Sequence, residues 1–403
     1  MASSPEIRKL NKRNAYRYIY QQKECSKQDI AYSLGQSLPT VIQNLKELQE
    51  EGMVHTAGLY ESTGGRKAAV LQCTADARVA VGVEILHEHV VAVLLDLYGE
   101  TLSSAKLEEK YTNEETYFRK IGRFIADFVT KTGYPNDKML GIVVAVQGIP
   151  DYDHRKMIYG RILNNWALSA DMLSSYIGRP CILMHDSESA AFAESFRRPN
   201  LRDSCYVFLN NYLGSASIIQ GKLYRGNHGR GQLLEHMKLV RGGRKCYCGQ
   251  YGCAECYCSA HGLKKMTGLP TEEFFELLRR DDPKAVAVWD EYLDYLALLL
   301  HNVLMVMDVD IIIGGLLRRY MKDQDLLILK DKIRTQSDFN ISDRSIAFEY
   351  ATDYPAAQGA VAFFTSSVHQ IAQKYRVTLW LNVENETTLL TIGVFRIILK
   401  TLK

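Results

Sequence analysis

The chain has 403 residues, of which 47% are hydrophobic and 24% charged, and its formal net charge is +3. That length suits about two or three globular domains, and so small a charge does not by itself indicate a nucleic-acid-binding protein. The sequence has no run of about eighteen apolar residues and no apolar signal-peptide core, so we predict neither a membrane span nor secretion. Nine cysteines, mostly clustered, favour a reducing cytoplasm over a disulfide framework.

The N-terminal segment has the residue pattern of a helix-turn-helix. Two short helices are predicted over residues 27–34 and 38–51, and each is preceded by a serine that can act as N-cap. Gly35 between them suits a left-handed C-terminal cap. A longer helix precedes them, and residues 53–73 alternate weakly, which we interpret as a β-hairpin wing. The order of these elements predicts a winged helix-turn-helix over residues 1–72.

The DNA contacts predicted for this domain come from its second short helix and from the wing. Polar side chains near the start and on the outer face of that helix are of the types that reach base edges and phosphates in a major groove. Two basic residues of the wing would contact the phosphate backbone. The candidate DNA-binding residues are Thr40, Gln43, Asn44, Lys46, Arg66 and Lys67. A three-helix bundle with a solvated basic face is the alternative interpretation.

From residue 73 onward, predicted strands alternate with predicted helices, which is typical of an α/β fold. Helices are predicted over residues 116–131 and 286–308. The predicted strands cover residues 79–83, 90–97, 140–146, 181–184, 206–210, 216–219 and 310–313. Residues 211–215 are predicted to form a loop between two of these strands.

The densest group of metal-ligating side chains lies just after the middle of the chain. Cys246, Cys248 and Cys253 can supply three thiolates from one tight loop, and His236 upstream completes a Cys₃His set. Reduced thiols without a metal, or a disulfide-bearing loop, are the alternatives. Ligand type and spacing favour Zn²⁺ at these four residues, although two further cysteines follow closely in the sequence.

The pattern His-x₉-Cys-x-Cys-Gly-x₂-Gly-Cys-x-Glu, from His236 to Glu255, resembles the zinc signature of the ROK family, which contains repressors and sugar kinases. The resemblance implies that the His and the three Cys hold a structural zinc, and that His236 and Glu255 contact a sugar. It extends over residues 7–375 and implies an α/β fold in which two actin-like lobes enclose a sugar cleft.

The resemblance also implies a division of the chain into five segments. We expect the winged helix-turn-helix, a first lobe, a second lobe with the zinc loop, a helix that packs back on the first lobe, and a tail without a family counterpart. In that order, these segments cover residues 1–72, 73–195, 196–350, 351–375 and 376–403.

By resemblance, Asp186 matches the general base of ROK kinases, and His185 beside it replaces a sugar-binding Asn. A carboxylate at a strand end next to a helix N-terminus is well placed to accept hydrogen bonds from a sugar, and a plain N-cap aspartate is the alternative. The predicted ligand-binding residues are therefore His185, Asp186, His236 and Glu255. Leu233 stands where the family has a sugar-binding Glu. Either the loop shifts and Glu235 substitutes for it, or this contact is lost, which leaves open a regulator without a sugar ligand.

Two observations favour a regulator over an enzyme. ROK repressors begin with a winged helix-turn-helix, and ROK kinases lack one. The kinases carry glycines in their first hairpin that let the backbone approach ATP phosphates, whereas residues 84–88 of this chain carry side chains there, including the anionic Glu88. The second phosphate loop keeps only Gly214. We therefore predict no kinase activity, and a sugar kinase that kept a DNA-binding head is the alternative.

The predicted partners follow from this interpretation. The N-terminal domain would bind operator DNA as part of a homodimer or homotetramer that reads a two-fold site. A sugar or sugar derivative would bind between the lobes and change the affinity for DNA by preferring one of two conformational states. Zn²⁺ is the predicted cofactor, and no membrane contact is expected.

Overall fold

The computed structural model describes residues 4–61, 67–198, 200–229, 231–336, 346–350 and 353–364. Its N-terminal unit contains α1 (Ser4–Gln22), α2 (Lys27–Leu34), α3 (Leu38–Glu50), β1 (Val54–Leu59) and β2 (Ala69–Cys73). The predicted helix-turn-helix is therefore present, and the two strands pair antiparallel as the predicted hairpin. Arg66 of the wing lies outside the described residues, as does the whole tail over residues 376–403.

Capping interactions position the two short helices of this unit. The Asp29 N–H donates to Ser26 Oγ at 3.2 Å, and the Ser26 N–H donates to Asp29 Oδ2 at 2.8 Å, which together form a capping box. Gly35 ends α2 at φ +60°, in a left-handed conformation that glycine adopts without steric cost. Val41 and Leu45 of α3 are buried in the core that these helices share with the hairpin.

Two α/β lobes follow the N-terminal unit. The first contains β3 (Val79–Ile85), β4 (His89–Leu95), β5 (Thr101–Glu108), α4 (Glu115–Lys131), β6 (Met139–Val146), β7 (Ile149–Pro150), β8 (Met157–Tyr159), α5 (Ala170–Ile177), β9 (Cys181–His185) and α6 (Asp186–Arg197). The second contains β10 (Ser204–Leu209), β11 (Leu213–Ile219), β12 (Lys222–Tyr224), α7 (Glu255–Cys258), α8 (Ala260–Thr267), α9 (Thr271–Arg279), α10 (Pro283–Val306), β13 (Asp310–Gly314), α11 (Asp323–Arg334) and β14 (Ile346–Phe348). A final helix, α12, covers residues 355–364.

The two lobes repeat one sheet topology. The strand orders are β5-β4-β3-β6-β9 in the first lobe and β12-β11-β10-β13-β14 in the second. In each sheet, three strands form an antiparallel meander, and two further strands join it in parallel. This duplicated arrangement is the two-lobed α/β fold that the resemblance implies. None of the described helices is both long and apolar enough to cross a membrane.

The predicted loop over residues 211–215 is wrong in its second half. The strand β11 already begins at Leu213, and Ser215 pairs with Val207 of β10. Leu213 is 3% exposed and belongs to the core of the second lobe, so its burial extends the hairpin to a tight turn. The start of β11 is therefore set by tertiary packing, which the local sequence does not reveal.

The helix α12 returns to the first lobe and lies directly on β3. A Cβ atom placed on Gly82 would lie 1.7 Å from the carbonyl oxygen of Ala357, so only glycine permits this approach of helix to strand. Ala357 is fully buried, together with apolar residues of β3 and β4. The contact joins the end of the described chain to the centre of the first sheet.

We predict that Gly82→Ala lowers the free energy of unfolding by about 3 kcal/mol, because the added methyl group overlaps with the Ala357 carbonyl and forces α12 away from the sheet. Urea unfolding measures the loss. Gly178→Ala is the control: it lies at φ +72° with open space around it, so only backbone strain of about 1–2 kcal/mol applies. Equal losses in the two variants would contradict the close approach.

Candidate functional site

Four metal-ligating side chains meet in the loop that follows β12. The ligand atoms of His236, Cys246, Cys248 and Cys253 all lie within 4.8 Å of one another. Cys246 Sγ is 3.8 Å from His236 Nδ1, and the Sγ atoms of Cys248 and Cys253 are 3.8 Å apart. These sulfur atoms are too far apart for a disulfide, whose S–S bond is about 2.05 Å. The structure therefore brings together the four ligands predicted from the sequence.

Backbone hydrogen bonds and a glycine give the loop its shape. The Cys246 N–H donates to the Gln250 carbonyl at 2.8 Å, and an isolated β-bridge pairs Lys238 with Cys253. Gly252 has φ +74°, and a Cβ atom there would lie 1.7 Å from the Val240 carbonyl oxygen. The tight turn thus requires glycine at this position. Lys238 Nζ also donates to Cys253 Sγ at 3.4 Å, which partly offsets the burial that raises the pKa of this thiol.

The imidazole of His236 has a different neighbour at each nitrogen. Its Nδ1 faces the thiols, and its Nε2 lies 3.4 Å from the hydroxyl of Tyr247. Burial, together with the Lys238 ammonium, lowers the pKa of His236 and so favours the neutral ring that ligates metals. A metal bound at Nδ1 would therefore leave Nε2 available for a hydrogen bond.

Glu255 ties this loop to the second sheet. The Leu213 N–H donates to its Oε2 at 2.7 Å, and the Ser259 hydroxyl donates to its Oε1 at 3.1 Å. Glu255 is 2% exposed, and burial raises its pKa to about 8. Its carboxyl group is thus held in a fixed position, with each oxygen already accepting one hydrogen bond. It lies beside the loop of residues 236–253 that carries the four ligand side chains, which we call the metal loop.

His185 and Asp186 lie at the junction of β9 and α6, where the sequence predicts them. The Ser187 hydroxyl donates to the Ser215 carbonyl at 3.0 Å, so His185 Nδ1, which is 2.9 Å from that hydroxyl, donates to it. His185 Nε2 is 3.3 Å from Asp186 Oδ1. Burial lowers the pKa of His185 to about 4 and raises the pKa of Asp186 to about 7. Burial therefore disfavours the charged form of both groups, and the neutral Nε2 can accept a hydrogen bond from a protonated Asp186.

A small pocket opens next to this junction. Its lining includes His185, Glu188, Ser215 and Leu233. Of the four predicted ligand-binding residues, His185 is the one that lines this pocket; Asp186 and Glu255 are buried behind it and His236 lies at the metal loop.

The sequence analysis did not anticipate that Arg225 and Glu188 pair beside the pocket. Arg225 donates to both carboxylate oxygens of Glu188, through Nε at 3.0 Å and Nη2 at 2.5 Å. Its Nη1 also donates to the Asp151 carbonyl at 3.3 Å. Glu188 belongs to α6, Asp151 follows β7 in the first lobe, and Arg225 follows β12 in the second. The guanidinium thus bridges the two lobes, which spacing along the chain could not indicate.

Glu84, the first residue of the segment that replaces the kinase phosphate-binding glycines, is buried in a way that the sequence analysis did not anticipate. It lies in β3 at 4% exposure, and burial, with the neighbouring Asp186 carboxyl group, raises its pKa to about 8. The signal in the sequence is a single acid in an otherwise apolar strand. Glu235, next to His236, is also buried, and its Oε2 has no hydrogen-bond partner among the described residues. The cleft therefore contains several carboxyl groups that burial keeps close to neutrality.

The predicted DNA-binding residues of α3 do not share one face. Gln43 and Lys46 are exposed, and Thr40 is partly buried. Asn44 is 1% exposed, so its prediction as a DNA contact is wrong: it lies on the same side of the helix as the buried Val41. Lys67 is exposed in the loop that leads into β2 of the wing.

Comparison with known proteins identifies the class to which this fold and site belong. The ROK family pattern matches residues 80–366, which is more than half of the chain. The chain therefore belongs to the ROK family.

Two regulators are among its relatives. The chain is 26% identical to the xylose repressor of Bacillus subtilis (strain 168) over 278 residues, which cover 68% of this chain and 71% of that protein. It is 25% identical to the DNA-binding transcriptional dual regulator NagC of Escherichia coli (strain K12) over 253 residues, which cover 62% of each chain.

Solved structures with the same fold include both a regulator and a kinase. A ROK family transcriptional regulator, a homolog of the E. coli MLC protein, has a TM-score of 0.72 at 18% identity and covers 90% of this chain and 97% of its own. A ROK hexokinase from Thermus thermophilus has a TM-score of 0.62 at 20% identity and covers 72% of this chain and 99% of its own. The regulator thus matches the fold over more of this chain.

We predict that the Glu84→Gln variant loses less stability than wild type when the pH is raised from 5 to 8. Because burial raises the pKa of Glu84 from 4.5 to about 8, the wild-type protein is most stable below the ordinary pKa and loses stability as the pH rises toward 8. The glutamine variant lacks this charge, so at pH 8 it gains stability relative to wild type, on the order of 1 kcal/mol or more. Urea unfolding at several pH values measures both profiles.

Glu88→Gln, on the exposed turn after the same strand, is the control for Glu84→Gln and is expected to keep the wild-type profile. Parallel profiles for wild type and Glu84→Gln would show that Glu84 does not titrate in this range.

Proposed function

We propose that this protein is a sugar-responsive transcriptional repressor of carbohydrate-utilisation genes that acts in the cytoplasm and has no kinase activity. Its similarity to the xylose repressor and to NagC supports this function. In our proposal the helix-turn-helix binds operator DNA through Thr40, Gln43, Lys46 and the wing residues Arg66 and Lys67. The protein would act as a homodimer or homotetramer on a two-fold site.

The sugar would bind between the lobes. We propose His185, Asp186, His236 and Glu255 as its contacts; His185 lines the pocket, and the other three would reach the ligand after a change in the lobe arrangement. Carboxyl groups that are close to neutrality can both donate and accept hydrogen bonds, which suits the hydroxyl groups of a sugar. Leu233 lines the pocket without a polar group, and it favours a ligand that is less polar on that side.

The main support for this function is a continuous series of contacts between the cleft and the helix-turn-helix unit. It begins at α6, whose first residue is Asp186. This helix has 12 residues and so spans about 18 Å. Near its other end, the ring of Phe196 packs against Gly99: a Cβ atom on that glycine would be 3.4 Å from Phe196 Cε1.

Gly99 belongs to the turn between β4 and β5, and that turn holds the DNA-binding unit. The Tyr20 hydroxyl of α1 donates to the Leu97 carbonyl at 2.7 Å. The rings of Tyr20 and Tyr98 stack, with centroids 4.8 Å apart and an interplanar angle of 4°. A shift of α6 would therefore reach α1 through directly packed groups.

Lobe movement would act on the same helix. Ser187 and Glu188, in its first turn, bind the Ser215 carbonyl and Arg225 of the second lobe. If a sugar favours a different lobe arrangement, these two contacts pull on α6. The ligand would then change DNA affinity by its preference for one of two states of this helix.

We propose Zn²⁺ as the metal of the loop, held by His236, Cys246, Cys248 and Cys253. Three thiols and one imidazole form a closed set of the kind that binds structural zinc. The metal would stiffen the loop and fix the ring of His236 beside the cleft. In this role it supplies no catalytic chemistry.

A ROK sugar kinase is the second candidate, favoured by the fold shared with the Thermus thermophilus hexokinase. The turn after β3 argues against it. The exposed side chains of His87 and Glu88 are in contact there, with 2.6 Å between Nδ1 and Oε1. These side chains occupy the turn that glycines would need to leave open for the phosphates of ATP.

We predict one zinc ion per chain in the purified protein, measured by elemental analysis. Cys248→Ser is expected to lose the ion and to lower the unfolding temperature by about 5 °C or more, because a ligand set that no longer closes leaves the loop unsupported. Cys256→Ser is the matched control, since Cys256 is buried nearby but outside the four-ligand set. Loss of zinc from the control variant as well would contradict this ligand set.

We predict that a sugar weakens operator binding by the full-length wild-type protein about fivefold or more, a usual size for allosteric coupling. The test is a titration of promoter DNA with a panel of sugars. Tyr98→Ala is expected to bind DNA and the sugar separately. The sugar should no longer weaken its DNA binding to the same extent, because the variant lacks the ring that stacks on Tyr20. Tyr98→Phe keeps the stacked ring and is expected to keep the release.

Three outcomes of the sugar titration would count against parts of the proposal. If the sugar weakens DNA binding by Tyr98→Ala as much as by wild type, the Tyr20–Tyr98 contact does not couple the two sites. Specific DNA binding that no sugar affects would indicate a regulator without a sugar ligand. ATP-dependent phosphorylation of a sugar, with no specific DNA binding, would favour the kinase.

A further inference from the structure

The outer side of α3 carries two apolar side chains that the protein core does not use. Val41, Leu45 and Leu48 supply the buried face of the helix. Leu38 and Ile42 lie elsewhere on its surface and are 39% and 47% exposed. They are four residues apart in a helix, so their side chains are neighbours on one face.

The surroundings of these two residues fit DNA better than a protein partner. The exposed Gln43 and Lys46 lie beside them on the same helix. Residues 1–72 contain ten basic and seven acidic residues, so this part of the chain carries the whole formal charge of +3. Two side chains form a patch far smaller than the roughly 1,000 Å² that a specific protein–protein interface buries. A narrow apolar contact flanked by polar and basic groups suits a groove lined by phosphates.

The chemistry of the major groove leaves one favourable contact for an isoleucine. Base edges there present hydrogen-bond donors, acceptors and a single apolar group, which is the 5-methyl group of thymine. An isoleucine placed against any other edge would remove water from polar atoms without replacing their hydrogen bonds. We infer that Ile42 contacts a thymine methyl group in the operator and thereby selects thymine at that position. The inference rests on the proposed function, because it requires α3 to enter the major groove.

The position and shape of Ile42 agree with this role. It is the fifth residue of α3, and the N-terminal part of a recognition helix is the part that contacts base edges. A β-branched side chain in a helix has one strongly preferred rotamer, so it loses little freedom on binding. Ile42 thus presents a rigid apolar surface next to Gln43, which can read a neighbouring base by hydrogen bonds.

The experiment uses the full-length protein and its preferred duplex, selected from a pool of random DNA. Each thymine of that duplex is then replaced, one at a time, by deoxyuridine, which lacks only the methyl group. For wild type we expect one replacement per half-site to weaken binding about fourfold, the effect of removing one buried methyl group. Ile42→Ala is expected to bind the thymine and deoxyuridine duplexes equally.

Two further variants separate the methyl contact from a general loss of binding. Gln43→Ala is the matched control: it removes a neighbouring polar side chain, so it should bind more weakly but keep the fourfold sensitivity to deoxyuridine. Ile42→Val keeps a shorter branched side chain and should keep part of that sensitivity. Both isoleucine variants change an exposed side chain, and thermal unfolding checks that they fold as wild type does.

The possible results distinguish this inference from the proposed function. If wild type selects no preferred sequence from the pool, the DNA-binding function itself is wrong. If wild type selects a sequence but tolerates deoxyuridine at every position, the function stands and the methyl contact is overturned. If Ile42→Ala keeps the fourfold sensitivity, another residue reads the methyl group and the assignment to Ile42 is overturned.

Discussion

The placement of α6 is the constraint on which the rest of this structure depends. Its first turn enters the space between the two lobes, where Ser187 binds the Ser215 carbonyl and Glu188 pairs with Arg225. Its last turn meets the hairpin turn that holds the N-terminal unit. Because a helix is stiff along its axis, a change at one end is transmitted to the other rather than absorbed. Under the proposed function, an N-terminal unit joined at this turn would respond to a ligand at the other end of α6, about 18 Å away.

The cleft is unusual in its electrostatics. Burial raises the pKa of Glu84 and Glu235 to about 8 and the pKa of Asp186 to about 7. Burial disfavours the ionised form of each of these carboxyl groups, and for Glu84 and Glu235 the charge of Asp186 adds to the effect. The Arg225 guanidinium pairs with Glu188. Such a site suits a neutral polar ligand better than a phosphate, whose negative charge would meet the same repulsion.

The loop with the four ligand residues lies beside this cleft, and a metal bound there would stiffen one of its walls. Bringing three thiols and an imidazole within 4.8 Å of one another is favourable when a metal replaces their mutual repulsion with coordination bonds. The loop leads directly into Glu255, which receives hydrogen bonds from both β11 and α7–α8. The four ligands and the glutamate therefore form one continuous rigid segment between His236 and the second sheet.

The sequence by itself was sufficient wherever the relevant contacts are local. The capping box of Ser26 and Asp29, the left-handed Gly35 and the four metal ligands all depend on residues close together in the chain, so spacing predicts them. The tertiary structure alone decided the burial of Asn44, the pairing of Arg225 with Glu188 and the stacking of Tyr20 on Tyr98. Each of these depends on which surfaces meet after folding, and the identity of a residue and its neighbours in sequence carries no information about that.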